Sequence, residues 1–148
     1  MAGYVRSGPL YLDSNVLIYS IEAGNPWTGQ LEELLARLYR GELDAVTSEL
    51  TLAEVLPKPL AKADRALVEA YETLLSESSP LTIVPVDRSI LHRSAGVRSV
   101  SRMKLADAIH TATALQAGCT RFLSNDGRLL AALPPPLLAC GMDQLPSL

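Results

Sequence analysis

The sequence predicts an α/β fold with a mainly parallel sheet of about five strands, and two observations carry that reading. Short apolar runs alternate with stretches of helically spaced leucine and isoleucine along the chain. Their order is strand, helix, strand, helix, which places helices on both faces of a parallel sheet. The 148 residues are 48% apolar and 20% charged, too apolar for a disordered chain and of a length for one domain, 1–148, with one core. No repeat, low-complexity tract or long linker divides it.

Leu10-Tyr11-Leu12 is the first strand, and Val16, Leu17, Ile18 and Ile21 mark the helix after it. Leu31, Leu34, Leu35 and Leu38 recur at helical spacing until Gly41 stops the run. Asp44-Ala45-Val46-Thr47 is the second strand, followed by a helix from about Leu50 to Leu56, which Pro57 and Pro59 are expected to end. A helix over Asp64–Leu75 carries Leu67, Val68, Tyr71, Leu74 and Leu75 along one side. Leu81 to Val86, rich in β-branched residues, is the clearest strand, and Asp87 caps the helix toward Val97. Lys104–Ala117 is helical and stops at Gly118; Arg121-Phe122-Leu123 is a fourth strand, Asp126–Leu133 a short helix, and Leu137-Leu138-Ala139 a fifth strand.

In such sheets, ligands bind beyond the carboxyl ends of the strands. Four acids stand there. Asp13 follows the first strand and Asp126 the fourth, Glu54 lies on the helix after the second, and Asp107 on the helix before the fourth. Four carboxylates converging on one cleft repel one another unless a cation neutralises them. Oxygen ligands without Cys or His partners select Mg²⁺ or Mn²⁺ over zinc. A metal so held binds phosphate and activates water, which points to phosphodiester hydrolysis. Each acid also has a purely structural alternative. Asp13 and Asp126 can cap helices, Thr51-Leu52-Ala53-Glu54 is a legal capping box, and Asp107 suits the first turn of a helix.

Taken in series, these segments resemble a known family. Tyr11-Leu12-Asp13-Ser14-Asn15-Val16-Leu17-Ile18-Tyr19 is similar to the opening motif of PIN domains, particularly the VapC toxins of prokaryotic toxin–antitoxin pairs. Thr47–Leu56 with Lys58-Pro59-Leu60, Lys104–Leu115, and Phe122-Leu123-Ser124-Asn125-Asp126 resemble the family's later segments in order and spacing, from about residue 10 to 130. The resemblance implies an α/β/α sandwich and a metal-dependent endonuclease acting on RNA. It also implies an antitoxin partner that blocks the site, and commonly a homodimer. Carried over by position, Asp13, Glu54, Asp107 and Asp126 are the acidic cluster, and Ser14, Asn15, Ser124 and Asn125 orient it. The same family also implies two alternatives: a nuclease in RNA processing or repair, and a non-catalytic module that binds RNA or protein.

Composition bears on other classes. With 13 Lys and Arg against 16 Asp and Glu the formal charge is −3, which argues against holding nucleic acid by bulk charge. Setting the four acids aside leaves +1, so net charge is the wrong scale for this question. Between Asp87 and Asp107 there is no acid, yet Arg88, His92, Arg93, Arg98, Arg102 and Lys104 all occur. Arg98, Arg102 and Lys104 stand close before Asp107 and are expected to contact RNA phosphates; the plain alternative is a solvated helix and loop. His110 is either a packed, hydrogen-bonded histidine or a phosphate donor or general acid, and Lys58 either reaches Glu54 or faces solvent. Tyr19, Trp27 and Tyr39 serve either core packing or a partner contact. A phosphorylation receiver domain needs a lysine near the last strand, and none follows Lys104. A haloacid-dehalogenase phosphatase needs a second aspartate where Asn15 stands.

Cys119 and Cys140 form no zinc or redox pattern and are expected as buried free thiols. Met1 to Arg6 lacks the apolar run of a signal peptide, and no stretch reaches the ~20 apolar residues that span a membrane. The expected setting is cytoplasmic, away from membranes.

Overall fold

Strand β1 (Leu10–Leu12) is buried at every residue, which for a strand means covered faces on both sides. The computed structural model describes residues 8–148, apart from the Ser147 side chain. The opening stretch Met1 to Arg6 lies outside the described residues. β1 pairs in parallel with β2 (Ala45–Ser48) on one side and β4 (Arg121–Leu123) on the other; β3 (Thr82–Val84) extends the first side and β5 (Leu138–Cys140) the second. The order is therefore β3-β2-β1-β4-β5. The chain builds outward from β1 to β3, then crosses back to place β4 against β1. That reversal is the topological switch point, and it opens a crevice at the carboxyl ends of β1 and β4.

Period-two alternation divides the core. Leu10, Leu12, Ala45, Leu123 and Cys140 face one layer, which holds α1 (Ser14–Ile21), α2 (Thr28–Tyr39), α3 (Leu50–Val55) and α5 (Arg65–Leu74). Tyr11, Val46 and Phe122 face the other, which holds α7 (Leu105–Gln116) and α8 (Gly127–Ala132). α6 (Arg88–Ser99) packs Ile90 against Ile109 and Ala112 of α7. Three layers result, α/β/α, as the sequence predicts. α7 is buried from Ala108 through Ala114 because it lies between the sheet and α6. Its small residues permit that close approach, and Thr111 and Thr113 satisfy their hydroxyls on the carbonyls of Asp107 and Ile109.

The glycine stops act as expected. Gly118 adopts φ +71° after α7, with its N–H bonded to the Leu115 carbonyl and the Cys119 N–H to the Ala114 carbonyl. That Schellman pair satisfies carbonyls the helix end would otherwise leave unpaired. Gly41, at φ +72°, ends α2 in the same way.

α3 ends at Val55 with Leu56 as its C-cap, as expected before Pro57, and Pro57 then opens a further short helix, α4 (Pro57–Ala61), as its first residue, where the missing N–H has no intrahelical partner to lose. One boundary differs from expectation. The third strand keeps only Thr82–Val84 of the expected 81–86, because Pro85 has no N–H to continue the ladder. A 3₁₀ helix, Met142–Ser147, follows β5. Cys119 and Cys140 are both free and buried, and burial pushes the Cys119 thiol up to about 12. Among the described residues, no helix is long and apolar enough to cross a membrane.

Candidate active site

Asp13 is the first residue beyond β1, in the switch-point crevice. Its backbone N–H still bonds the Leu123 carbonyl, so the β1–β4 ladder delivers it there. The side chain is almost wholly buried at 5% exposure, which for a carboxylate demands hydrogen bonds. Oδ1 accepts from the Ser14 N–H at 2.9 Å, capping α1, and Oδ2 accepts from the Ser124 hydroxyl at 2.6 Å and the Asn15 amide at 3.3 Å. Ser124 accepts in turn from Asn15 at 3.2 Å and from the Asp126 N–H at 3.0 Å. The Asn125 N–H donates to Asn15 Oδ1, and its amide to the Tyr19 hydroxyl. Thus Asn15, Ser124 and Asn125 form one network under Asp13 and Asp126, joining the ends of β1 and β4. Ser14 contributes its backbone N–H; among the described residues its hydroxyl has no hydrogen bond to the acids.

Asp126 caps α8 through Oδ1, accepting from the Arg128 and Leu129 N–H groups at 3.1 and 3.3 Å. Asp13 and Asp126 therefore both cap helices, as their structural alternative requires, and each cap uses one of the two carboxylate oxygens. Glu54 has no capping role. α3 begins at Leu50, so Thr51 lies inside it, and its hydroxyl pairs at 2.8 Å with Thr47, which donates to the Leu12 carbonyl. These buried hydroxyls pin α3 to the strand ends, and Glu54 bonds His110 Nε2. Asp107 sits in the first turn of α7, as its structural alternative requires.

The four acids share one field. Burial first, then Asp13 and Asp126, and more weakly Glu54, hold the Asp107 carboxyl above its ordinary value, with His110 opposing them. Like charges that raise a partner's proton affinity attract a cation equally well. The donors are all hard oxygens, so they fit a divalent cation such as Mg²⁺ or Mn²⁺ in chemistry. Among the described residues, no group of three or more acidic, histidine or cysteine side chains stands close enough together to hold a metal ion as placed. The repulsion also has a cost that falls on stability. Folded Asp107 binds its proton more tightly than the unfolded chain does, so stability falls as pH rises from the ordinary aspartate range through the raised value. Asp107→Asn is therefore expected to raise the melting temperature of metal-free protein at neutral pH. The gain should be no more than a few degrees, because water screens a partly exposed carboxyl, and should vanish at low pH. Thermal unfolding across pH with a chelator present checks it.

A cleft of about 330 Å³ opens on two of the four acids: it is lined by Asp107 and Asp126, by Arg102, Lys104 and Arg128, and by apolar groups including Met103 and Leu129, while Asp13 and Glu54 do not line it. Arg102 and Lys104 thus lie where the sequence reading puts them, beside the acids. Arg98 does not line this cleft: its guanidinium donates to the Met103 carbonyl at 3.2 Å, bracing the turn before α7. Arg88, His92 and Arg93 line a different depression, with Ser89 and Gln116. Lys58 is exposed and makes no ion pair with Glu54. Tyr19 packs at a 45° tilt against Trp27 with ring centroids 4.9 Å apart, both against the core, whereas Tyr39 is exposed.

The sequence reading missed two groups. Arg128 joins the cleft from two positions past Asp126, a spacing visible in Asp126-Gly127-Arg128. Tyr11 is the middle residue of β1 and faces the layer opposite to Leu10 and Leu12, where its hydroxyl meets His110 Nδ1 at 2.5 Å. His110 is the packed, hydrogen-bonded histidine of the two readings open to it, at 1% exposure.

Comparison with known proteins agrees with this architecture. Solved structures similar to the chain include a toxin–antitoxin complex from Klebsiella pneumoniae, 21% identical with a TM-score of 0.64, the match covering 88% of this chain and 96% of that one. VapBC2 from Rickettsia felis, bound to a promoter DNA fragment, is 14% identical with a TM-score of 0.67, covering 89% and 97%. The Mycobacterium tuberculosis toxin VapC20, described as cleaving the sarcin–ricin loop, is 20% identical with a TM-score of 0.64, covering 83% and 94%. No curated protein matches the sequence. The sequence profile of the PIN domain matches residues 10–133, the span that carries β1 to β4 and all four acids, and on that match the chain belongs to the PIN domain family.

Proposed function

We propose that this protein is a metal-dependent endoribonuclease and the toxin of a type II toxin–antitoxin pair. The observation that carries the chemistry is the shared field of Asp13, Glu54, Asp107 and Asp126 at the switch point, with Arg102, Lys104 and Arg128 lining the cleft that Asp107 and Asp126 enter. A cluster of acids alone repels a polyanion, and basic groups alone bind one without cutting it. The two side by side suit a phosphodiester held over a cation. The similarity to toxin–antitoxin complexes and to a toxin described as cleaving RNA supports the RNA substrate and an antitoxin partner.

Asp13, Glu54, Asp107 and Asp126 would hold Mg²⁺ or Mn²⁺. That cation supplies neutralising charge at the scissile phosphate and makes water more acidic. The protein's own part is to orient and to bind. Ser124 and Asn15 fix Asp13 Oδ2, leaving Oδ1 with the single Ser14 N–H. The α8 N-terminus fixes Oδ1 of Asp126, a residue that also lines the cleft. Arg102, Lys104 and Arg128 take the flanking phosphates, so no side chain is needed as a nucleophile.

Purified protein incubated with structured RNAs in Mg²⁺, in Mn²⁺ and with chelator tests the proposal. Cleavage in either metal that stops on chelation is expected; cleavage that survives chelation, or none with any RNA, overturns it. A companion experiment addresses the basic wall. Arg102→Glu combined with Lys104→Glu should weaken RNA binding at least about tenfold and reduce its salt dependence by nearly two counterions. The same reversal at Arg98 should have a smaller effect, because that side chain is committed to Met103. Filter binding across a salt series distinguishes them.

A further inference from the structure

The four acids are not held alike. Asp13 accepts from a backbone N–H, a serine and an asparagine, and Asp126 from two backbone N–H groups. Glu54 has the longest side chain of the set and the most rotamers to lose, and it stands on the six-residue helix α3. Among the described residues its carboxylate has one hydrogen-bond partner, His110 Nε2.

His110 in turn is fixed from behind. Its ring is 1% exposed on α7, and Nδ1 meets the hydroxyl of Tyr11, 0% exposed on β1, at 2.5 Å. The rings meet edge to face at 5.8 Å, and Phe122 stacks on Tyr11 at 4.7 Å. Nε2 faces the Glu54 carboxylate and donates to it; Nδ1 then accepts from the Tyr11 hydroxyl. Nε2 also lies 3.9 Å from Asp13 Oδ1, so one N–H sits between two of the acids. Packing alone does not account for this arrangement. Phenylalanine at 11 and a leucine-like residue at 110 would fill the same space without burying two polar groups.

We propose that Tyr11 and His110 are positioning residues: a buried relay from β1 through α7 that aims the Glu54 carboxylate into the metal site and spaces it from Asp13. This rests on the proposed function only in taking Glu54 as a metal ligand. Hydrogen-bond partners behind metal ligands typically contribute about 10–100-fold to affinity.

The test is Mn²⁺ binding by titration calorimetry, independent of any RNA, on wild type, Tyr11→Phe, His110→Gln and His110→Asn, each checked by circular dichroism. The glutamine amide nitrogen reaches the place of Nε2, and the shorter asparagine reaches only that of Nδ1. His110→Asn should weaken Mn²⁺ binding about tenfold or more, His110→Gln should recover most of the loss, and Tyr11→Phe should show a smaller loss in the same direction. In a Glu54→Gln background the Tyr11→Phe effect should disappear, as two residues acting through one group require. Equal affinities for His110→Gln and His110→Asn, or a Tyr11→Phe loss that persists without Glu54, overturn the relay while leaving the metal site standing. Absence of Mn²⁺ binding by wild type overturns both. If His110→Asn does not fold, Tyr11→Phe decides alone: weaker binding supports the relay and unchanged binding overturns it.

Discussion

Asp13→Asn is expected to reduce metal-dependent RNA cleavage by roughly 10³-fold or more, about 4 kcal/mol of transition-state stabilisation, while the protein stays folded. Asparagine preserves the shape of the side chain and an oxygen for the Ser14 N–H, so α1 keeps its cap. What it removes is a charge at the most buried of the four acids. Asp13→Ala should lose cleavage equally and also lose the cap, for about 1 kcal/mol of stability. The pair therefore separates the two roles of one carboxylate. Single-turnover cleavage rates and urea unfolding of both variants provide the check, and an active Asp13→Asn protein would remove Asp13 from the site. Asp107→Ala should be similarly inactive but no less stable, since Asp107 caps nothing and is held above its ordinary proton affinity by its neighbours.

Phe122→Ala is expected to cost about 3–5 kcal/mol, the largest stability loss of any single change considered for this chain. Phe122 is 0% exposed and lies at the centre of β4 in register with Tyr11. It stacks on the Tyr11 ring, so its removal leaves a cavity beneath the switch point and frees the ring that backs His110. For a protein of ordinary stability that is a large fraction of the total. Equilibrium urea unfolding should show a lower midpoint with little change in slope, and Phe122→Leu should recover much of the loss by refilling the space. The variant should also bind Mn²⁺ less tightly at temperatures where it remains folded, because the Tyr11–His110 pair loses its wall.

Much of this was legible because it depends on local signals. The strand β1 at Leu10-Tyr11-Leu12, the cap at Asp87 and the αL stops at Gly41 and Gly118 each rest on a few consecutive residues with a definite conformational preference. The proline boundary was only half legible. α3 ends before Pro57 as expected, but Pro57 also opens α4, since the residue type forbids only an interior N–H and leaves the first helical position open. The four acids were found by their place at element ends, a topological property that sequence order carries.

Partners behind the acids were less legible. Ser124 and Asn15 are 109 positions apart and share a hydrogen bond. Tyr11 and His110 are 99 apart, and His110 offered only a spacing of three from Asp107, which says nothing of the strand it would meet. Arg98 and Arg102 look equivalent in sequence, yet Arg98 is spent on a backbone carbonyl and Arg102 lines the cleft. Sequence by itself determined the α/β class, a mainly parallel sheet and the kind of atom offered at the strand ends, because strand period, helix period and their alternation along the chain are readable locally. Tertiary structure alone decided which polar groups answer each carboxylate and which cations face the cleft. Burying a charge forces it to find partners across the sheet, and that requirement acts only once the layers have closed.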